Sequence, residues 1–253
     1  MFDASAFFGV WAFRNTTAHS LHEVCAQLAQ HGIQGAAISP VEALLQPEPM
    51  SVNRQLLQPG ITTDATVAIS PVPIINPTLP TWQEHLQECI SLANGRLKAV
   101  KLAPSYHGYD LNSPQLHDLA GILVDNGLTL CLQLRMEDER TRHSIAFVPP
   151  IPLADITIFA TQHLHLDIMV CAPYMGELKA LSAAPNVSAE MSFVESGHLL
   201  RDALQSLGST RLLVGTHAPI YMPAVGVSKG FADELDPITQ NLICSGNYER
   251  LFT

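Results

Sequence analysis

Charge is scarce in this chain, and one sign dominates. Asp, Glu, Lys and Arg make up 14% of 253 residues, and 13 basic against 23 acidic residues give a formal net charge of -10. No run of Lys or Arg interrupts that balance, so the electrostatic footprint of a nucleic-acid binder is missing. No apolar run approaches the roughly 18 residues that a membrane span needs. The N-terminal stretch MFDASAFFGVWAFR carries Asp3 and no basic segment ahead of its apolar residues, so it does not read as a signal peptide. The five cysteines, Cys25, Cys89, Cys131, Cys171 and Cys244, form no CxxC pair. An odd, scattered set reads as reduced, buried thiols of a cytoplasmic protein rather than a disulfide framework. No glycine-rich dinucleotide fingerprint follows any apolar run, and no linker or low-complexity segment divides the chain.

What the chain does have is apolar material, 47% of it, arranged in short runs that alternate with amphipathic stretches. The runs predict strands over 5–10, 35–39, 66–75, 97–103, 128–134, 166–172, 186–193 and 211–215. Helices are predicted over 19–31, 52–58, 81–93, 113–125, 152–163, 174–183, 196–207 and about 237–244. Ser113-Pro114 supplies an entry signal, and Gly32, Gly127 and Gly208 supply exits. Strict alternation requires parallel strands joined by crossovers. In about 250 residues, closure into a (β/α)8 TIM barrel is the economical architecture, with residues 1–253 as one domain. An open doubly wound sheet is the rival.

A barrel of this kind places its working groups at the C-terminal ends of the strands and in the loops that follow. That rim collects Trp11 and Arg14 after the first strand and Asn76 after the third. Lys101, Tyr106, His107 and Tyr109 follow at the fourth, then Arg135, Glu137, Asp138, Arg140 and His143 at the fifth, Glu190 in the seventh, and His217 with Tyr221 at the eighth. His163 and His165 sit on the opposite, structural rim despite their metal-like spacing. His19, His22, His31, His85 and His117 read as solvated surface groups. RMEDERTRHS stands out because Arg135 lies one residue past a buried strand, where an unpaired charge is costly. It requires a carboxylate partner, for which Glu137 is the nearest choice, or an anionic ligand. In PSYHGYDL two phenols and an imidazole offer hydrogen bonds, a stacking face and a proton carrier, or else a packed lid.

LKAVKLAPSYHGYDLNSPQLHDLAGILVDNGLTLCLQL, over the fourth and fifth units, resembles the corresponding segment of the amidohydrolase-related TIM-barrel proteins. That branch includes metal-dependent hydrolases and several decarboxylases. RLLVGTHAP resembles the family's strand-eight Gly-Ser-Asp motif with its following proline, and SGNYERLF its closing Gly-Asn and Arg-Leu signature. DASAFFG falls where the family writes Asp-x-His-x-His-x-Gly. The resemblance implies a divalent-metal site, yet Ser5 and Phe7 stand at the two first-strand histidines. The strand-five histidine falls near Gln133 or Arg135, the strand-six histidine near Cys171 or Ala172, and the strand-eight aspartate is His217. The usual metal site is therefore expected to be lost.

The leading expectation is a hydrolase of a small organic acid, amide or lactone with a metal-free, remodelled site; a decarboxylase-like lyase of the same family is its sibling. His217, Arg135, His107 and Glu190 are the expected catalytic residues and should converge on one cavity. Arg14, Trp11, Lys101, Tyr106, Tyr109, Glu137 and His143 are the expected substrate-binding residues. A catalytically inactive homologue that binds a metabolite or a partner protein is the second reading. An unconventional metal site recruiting His107, His143 and His217 is the third. The expected partner is a small molecule, and a homodimer is the commonest form if the chain self-associates.

Overall fold

The computed structural model describes residues 1–58 and 66–253. Its eight strands are β1 (Phe2–Phe8), β2 (Gly35–Pro40), β3 (Ala68–Pro71), β4 (Ala99–Leu102), β5 (Thr129–Gln133), β6 (Ile168–Cys171), β7 (Val187–Glu190) and β8 (Leu212–Leu213). β1, β2 and β3 pair in parallel, as do β4 through β8 in sequence order. Two seams close these sheets into the (β/α)8 barrel. Between β1 and β8, Ala4 donates to the Val214 carbonyl at 2.9 Å and His217 donates to the Ser5 carbonyl at 2.8 Å. Between β3 and β4, Lys101 donates to Pro73 at 2.8 Å and Ile75 donates to Lys101 at 3.0 Å. Pro71 and Pro73 lack the amide proton that regular pairing needs, which keeps β3 short and this seam sparse.

Helices α1 (Leu21–Gln30), α2 (Met50–Leu57), α3 (Trp82–Ala93), α4 (Pro104–His107), α5 (Pro114–Asp125), α6 (Leu153–Gln162), α7 (Met175–Leu181) and α8 (Leu199–Leu207) cover the barrel. They are followed by α9 (Pro223–Lys229), α10 (Pro237–Asn241) and α11 (Asn247–Phe252). Local chemistry explains their starts. Ser20 and Glu23 form a reciprocal capping box on α1, and proline opens α5, α9 and α10. The strands other than β3, covered on one side by helices and on the other by the barrel interior, are buried on both faces, hence their apolar spelling.

The predicted first strand is displaced: pairing begins at Phe2 and ends at Phe8. Asp3 is fully buried, and its carboxylate accepts from the Ser5 amide at 3.0 Å, the Thr216 amide at 2.9 Å and Thr216 Oγ1 at 2.5 Å. The helix predicted near 237–244 is α10 running into a wide π turn at Leu242–Gly246, and α11 completes the chain. Tyr248, Leu251 and Phe252 pack with Phe2 and Ala4 against the N-terminal end of the barrel. Asn247 Nδ2 donates to the carbonyls of Ser209 and Leu212, each at 2.7 Å, so the Gly-Asn signature anchors the start of β8.

Candidate functional site

The segment after β5 crosses the barrel mouth as a strap whose backbone is tied by aromatic side chains from three other units. The Tyr106 hydroxyl accepts from the Met136 amide at 2.9 Å, the Tyr221 hydroxyl from Asp138 at 2.8 Å, and the Tyr174 hydroxyl from Glu139 at 3.1 Å. His217 supplies the fourth tie: its Nε2 lies 3.0 Å from the Met136 carbonyl, which requires the proton on that nitrogen. The ring is completely buried and meets Phe7 and Phe193 edge-on, with centroids 4.9 and 5.0 Å away. Burial, reinforced by the nearby Lys101 charge, pushes its pKa down to about 3, so the imidazole is neutral at physiological pH. His217 also occupies the left-handed backbone region, with φ at 56°. That conformation costs about 1–2 kcal/mol in a non-glycine residue and is held by the amide bond to Ser5 and the ring bond to Met136.

Arg135 is committed to structure. Its guanidinium grips the Glu177 carboxylate through two bonds of 2.8 and 2.6 Å, donates to the Ala172 carbonyl at 2.5 Å and lies 4.0 Å over the Tyr174 ring. The expected pairing with Glu137 is corrected: a bidentate partner exists across the β6 loop, where α7 presents Glu177 in its first turn. Glu137 pairs instead with Arg14 Nε at 2.9 Å.

The expected convergence of His217, Arg135, His107 and Glu190 does not occur. Glu190 is buried between β7 and β8, accepting from the Ala172 amide at 2.5 Å and from the amide and hydroxyl of Ser192 at 2.6 and 2.8 Å. Burial holds its pKa above the ordinary carboxylate value. A Cβ on Gly215 would lie 2.1 Å from Glu190 Oε2, so only glycine fits beside this carboxylate. His107 turns toward the backbone of Ala43 and Leu44, and burial pushes its pKa down to about 4. His143 is exposed and caps its own turn, accepting from the Ile145 amide at 3.2 Å. His107, His143 and His217 therefore do not assemble, and among the described residues no group of three or more His, Cys, Asp or Glu is placed to hold a metal ion. Two surface readings also change. His85 is buried, with Nε2 3.1 Å from Thr81 Oγ1, and half-buried His117 has Nδ1 2.8 Å from His163 Nε2.

The divalent site implied by the resemblance does not fit these residues. Phe7 offers no lone pair, and Lys101 Nζ lies 4.2 Å from its ring centroid. His217 Nε2 is engaged by Met136, while the Asp3 and Glu190 carboxylates accept protein donors.

What the structure does bring together is a narrow cleft above the strap, with about 10 Å³ of enclosed space, room for a single water, lined by Trp11, Tyr106, Arg135, Glu137, Arg142 and Pro150. Three of its residues were expected to bind substrate, and Arg135 forms part of its wall. Glu137 Oε2 and Trp11 Nε1 are buried and have no hydrogen-bond partner. Burial raises the Tyr106 pKa to about 12, keeping its hydroxyl protonated and its proton available to donate while the oxygen accepts from Met136. Arg142 lies 4.3 Å over the Phe147 ring and, among the described residues, has no carboxylate within 4.0 Å. Its position nine residues past β5 gave no signal of this role. Lys101 and Tyr109 lie outside the cleft, and Arg14 borders it through Glu137.

No protein-family model and no curated protein sequence matches the chain. Solved structures do. A 2,6-dihydroxybenzoate decarboxylase from Rhizobium is 13% identical, with a TM-score of 0.70 over 99% of this chain and 98% of that one. A 5-carboxyvanillate decarboxylase from Sphingomonas paucimobilis is 14% identical, with a TM-score of 0.71 over 93% and 83%. An amidohydrolase from Burkholderia multivorans with bound HEPES is 13% identical, with a TM-score of 0.69 over 99% and 98%. The chain shares the α/β barrel fold of these decarboxylases and this amidohydrolase, the fold that the sequence resemblance implied. No helix among the described residues is long and apolar enough to cross a membrane.

Proposed function

We propose that the protein hydrolyses a small amide, ester or lactone of an organic acid in the cleft above the strap, with Glu137 as the proton-handling residue. The observation that carries this reading is the state of its carboxylate: one oxygen is fixed by Arg14, and the other is buried without a partner at the cleft. Such an oxygen is placed to take a proton from an attacking water. The Trp11 N–H, the Tyr106 O–H and the Arg142 guanidinium are the donors available to a developing acyl oxyanion or to the product carboxylate. Arg135 and His217 act as positioning residues, because they fix the backbone on which Glu137 and Arg142 stand. Five buried, unpaired cysteines support the cytoplasmic expectation.

The experiment is a screen of lactones, esters and amides against chelator-treated protein and its Glu137→Gln variant. The expected result is turnover in the parent that falls by about 10²–10⁴-fold in the variant. Equal turnover in both, or activity that appears only on adding a divalent ion, overturns the assignment. Binding without turnover is the second reading, favoured by one observation: His217, His107 and Glu190 all stand outside the cleft, which leaves no histidine beside Glu137 to share proton transfer. Calorimetric binding of product acids together with no hydrolysis across the screen would select it. A decarboxylase-like reaction is read in the same assays as release of CO₂ from a carboxylic acid.

A further inference from the structure

Beside the mouth cleft lies a second, more open slot of about 330 Å³, at the lower end of the size range of small-molecule sites. Pro104, Tyr109, Pro149, Pro150, Ile151 and Pro152 form its apolar lining. Pro150 belongs to both walls, so the two spaces adjoin at that residue. The prolines come from two places, the start of α4 and the run that leads into α6, and their fixed φ makes this a wall that loses little freedom when it is covered. Its charge differs from that of the cleft. Asp110 and Asp155 are the charged residues lining the slot, whereas the cleft holds Arg135 and Arg142 beside its carboxylates.

We propose that this slot is the subsite for an uncharged apolar tail on the molecule whose acyl head occupies the cleft, which makes the substrate class derivatives of monocarboxylic acids with an alkyl or aryl-alkyl chain. The inference rests on the mouth-cleft reading and adds the direction in which the ligand leaves it. The head meets Arg142, Trp11 and Glu137, and the chain passes over Pro150 onto Tyr109 and Ile151. The two aspartates then act as a specificity filter, since a second carboxylate at the far end of the chain would be placed against Asp110 and Asp155.

The test is isothermal titration of the full-length protein with acetate, butanoate, hexanoate and hexanedioate as product analogues, together with the variants Ile151→Ser and Asp155→Asn. Each added methylene that becomes buried should tighten binding by up to about fourfold, so hexanoate should bind far more tightly than acetate. Hexanedioate should lose most of that gain. Ile151→Ser should flatten the length dependence while leaving acetate unchanged, and Asp155→Asn should improve hexanedioate with little effect on hexanoate. If the monocarboxylates all bind equally, or hexanedioate matches hexanoate, the slot assignment falls and the cleft reading stands. If none of the acids binds, including acetate, the cleft reading falls and takes this inference with it. Matching melting curves for the parent and both variants keep a folding defect from imitating either result.

Discussion

Two polar regions flank the bond between His217 and the Met136 carbonyl, and their carboxylates are treated in opposite ways. Below the strap, Asp3 and Glu190 are fully buried, and each accepts three hydrogen bonds from backbone amides or hydroxyls. The unpartnered atoms on that side, Ser5 Oγ, Ser39 Oγ, Gln133 Oε1 and His217 Nδ1, belong to neutral groups. Above the strap, Glu137 has one oxygen engaged and one without a donor. A carboxylate saturated by its own protein serves to hold strands together, whereas one left half-satisfied is available to something that arrives. On the proposed reading, the receptive chemistry of this barrel lies in the loop layer rather than in its polar interior.

The contrast can be broken most severely at Arg135, read here as a tie rather than a receptor. Arg135→Leu leaves the Glu177 carboxylate and the Ala172 carbonyl without their partner, and unfolding in urea should show a loss of about 3–5 kcal/mol. A variant that keeps parental stability while losing ligand affinity would reverse the role. Glu137→Gln should do the opposite: catalysis falls by about 10²–10⁴-fold, with the melting temperature nearly unchanged.

The next effect is on pH dependence. His217 and His107 titrate at about 3 and about 4 in the folded protein, against 6.5 as the ordinary value. Below pH 6.5 the unfolded chain takes up protons that the folded one refuses, so stability is full above that pH and declines toward about 3 for His217 and about 4 for His107. Each histidine contributes a slope of up to about 1.4 kcal/mol per pH unit. Glu190 works in the other direction, because its raised pKa makes the folded state hold a proton that the unfolded state releases as pH climbs past 4.5. His217→Phe should therefore flatten the acid limb of a stability-against-pH curve between pH 6.5 and 4. An unchanged limb would place the ring in solvent. The smallest change is expected for Tyr221→Phe, which removes one tie to the strap and should cost about 1 kcal/mol in thermal or chemical unfolding.

The barrel was legible because parallel strands buried on both faces spell themselves as apolar runs, and eight of them alternate with helices in a chain of this length. The short helices α4, α9 and α11 were not, since four to seven residues carry too little periodicity to separate from a loop. β1 starts earlier than the predicted 5–10 because Asp3 can be buried within it, and the group that buries it, Thr216, lies 213 positions along the chain. The RMEDERTRHS segment and Trp11 and Tyr106 could be placed at the mouth from strand order alone. The partner of Arg135 could not: Glu177 is 42 residues away, on a helix whose rotation no local pattern fixes. His217 was marked correctly as a histidine leaving a buried strand, but its partner is a backbone carbonyl, a group that every residue carries and no sequence advertises.

The strap after β5 is fastened by its peptide groups, with hydroxyls and an imidazole reaching in from other loops to the amides and carbonyl of Met136, Asp138 and Glu139. A scaffold secured in this way is indifferent to much of what it displays. Exchanging the side chains at 137, 139 and 142 alters the chemistry on offer without unfastening the segment that offers it, so this loop is the natural place to graft a new selectivity onto an otherwise unaltered barrel.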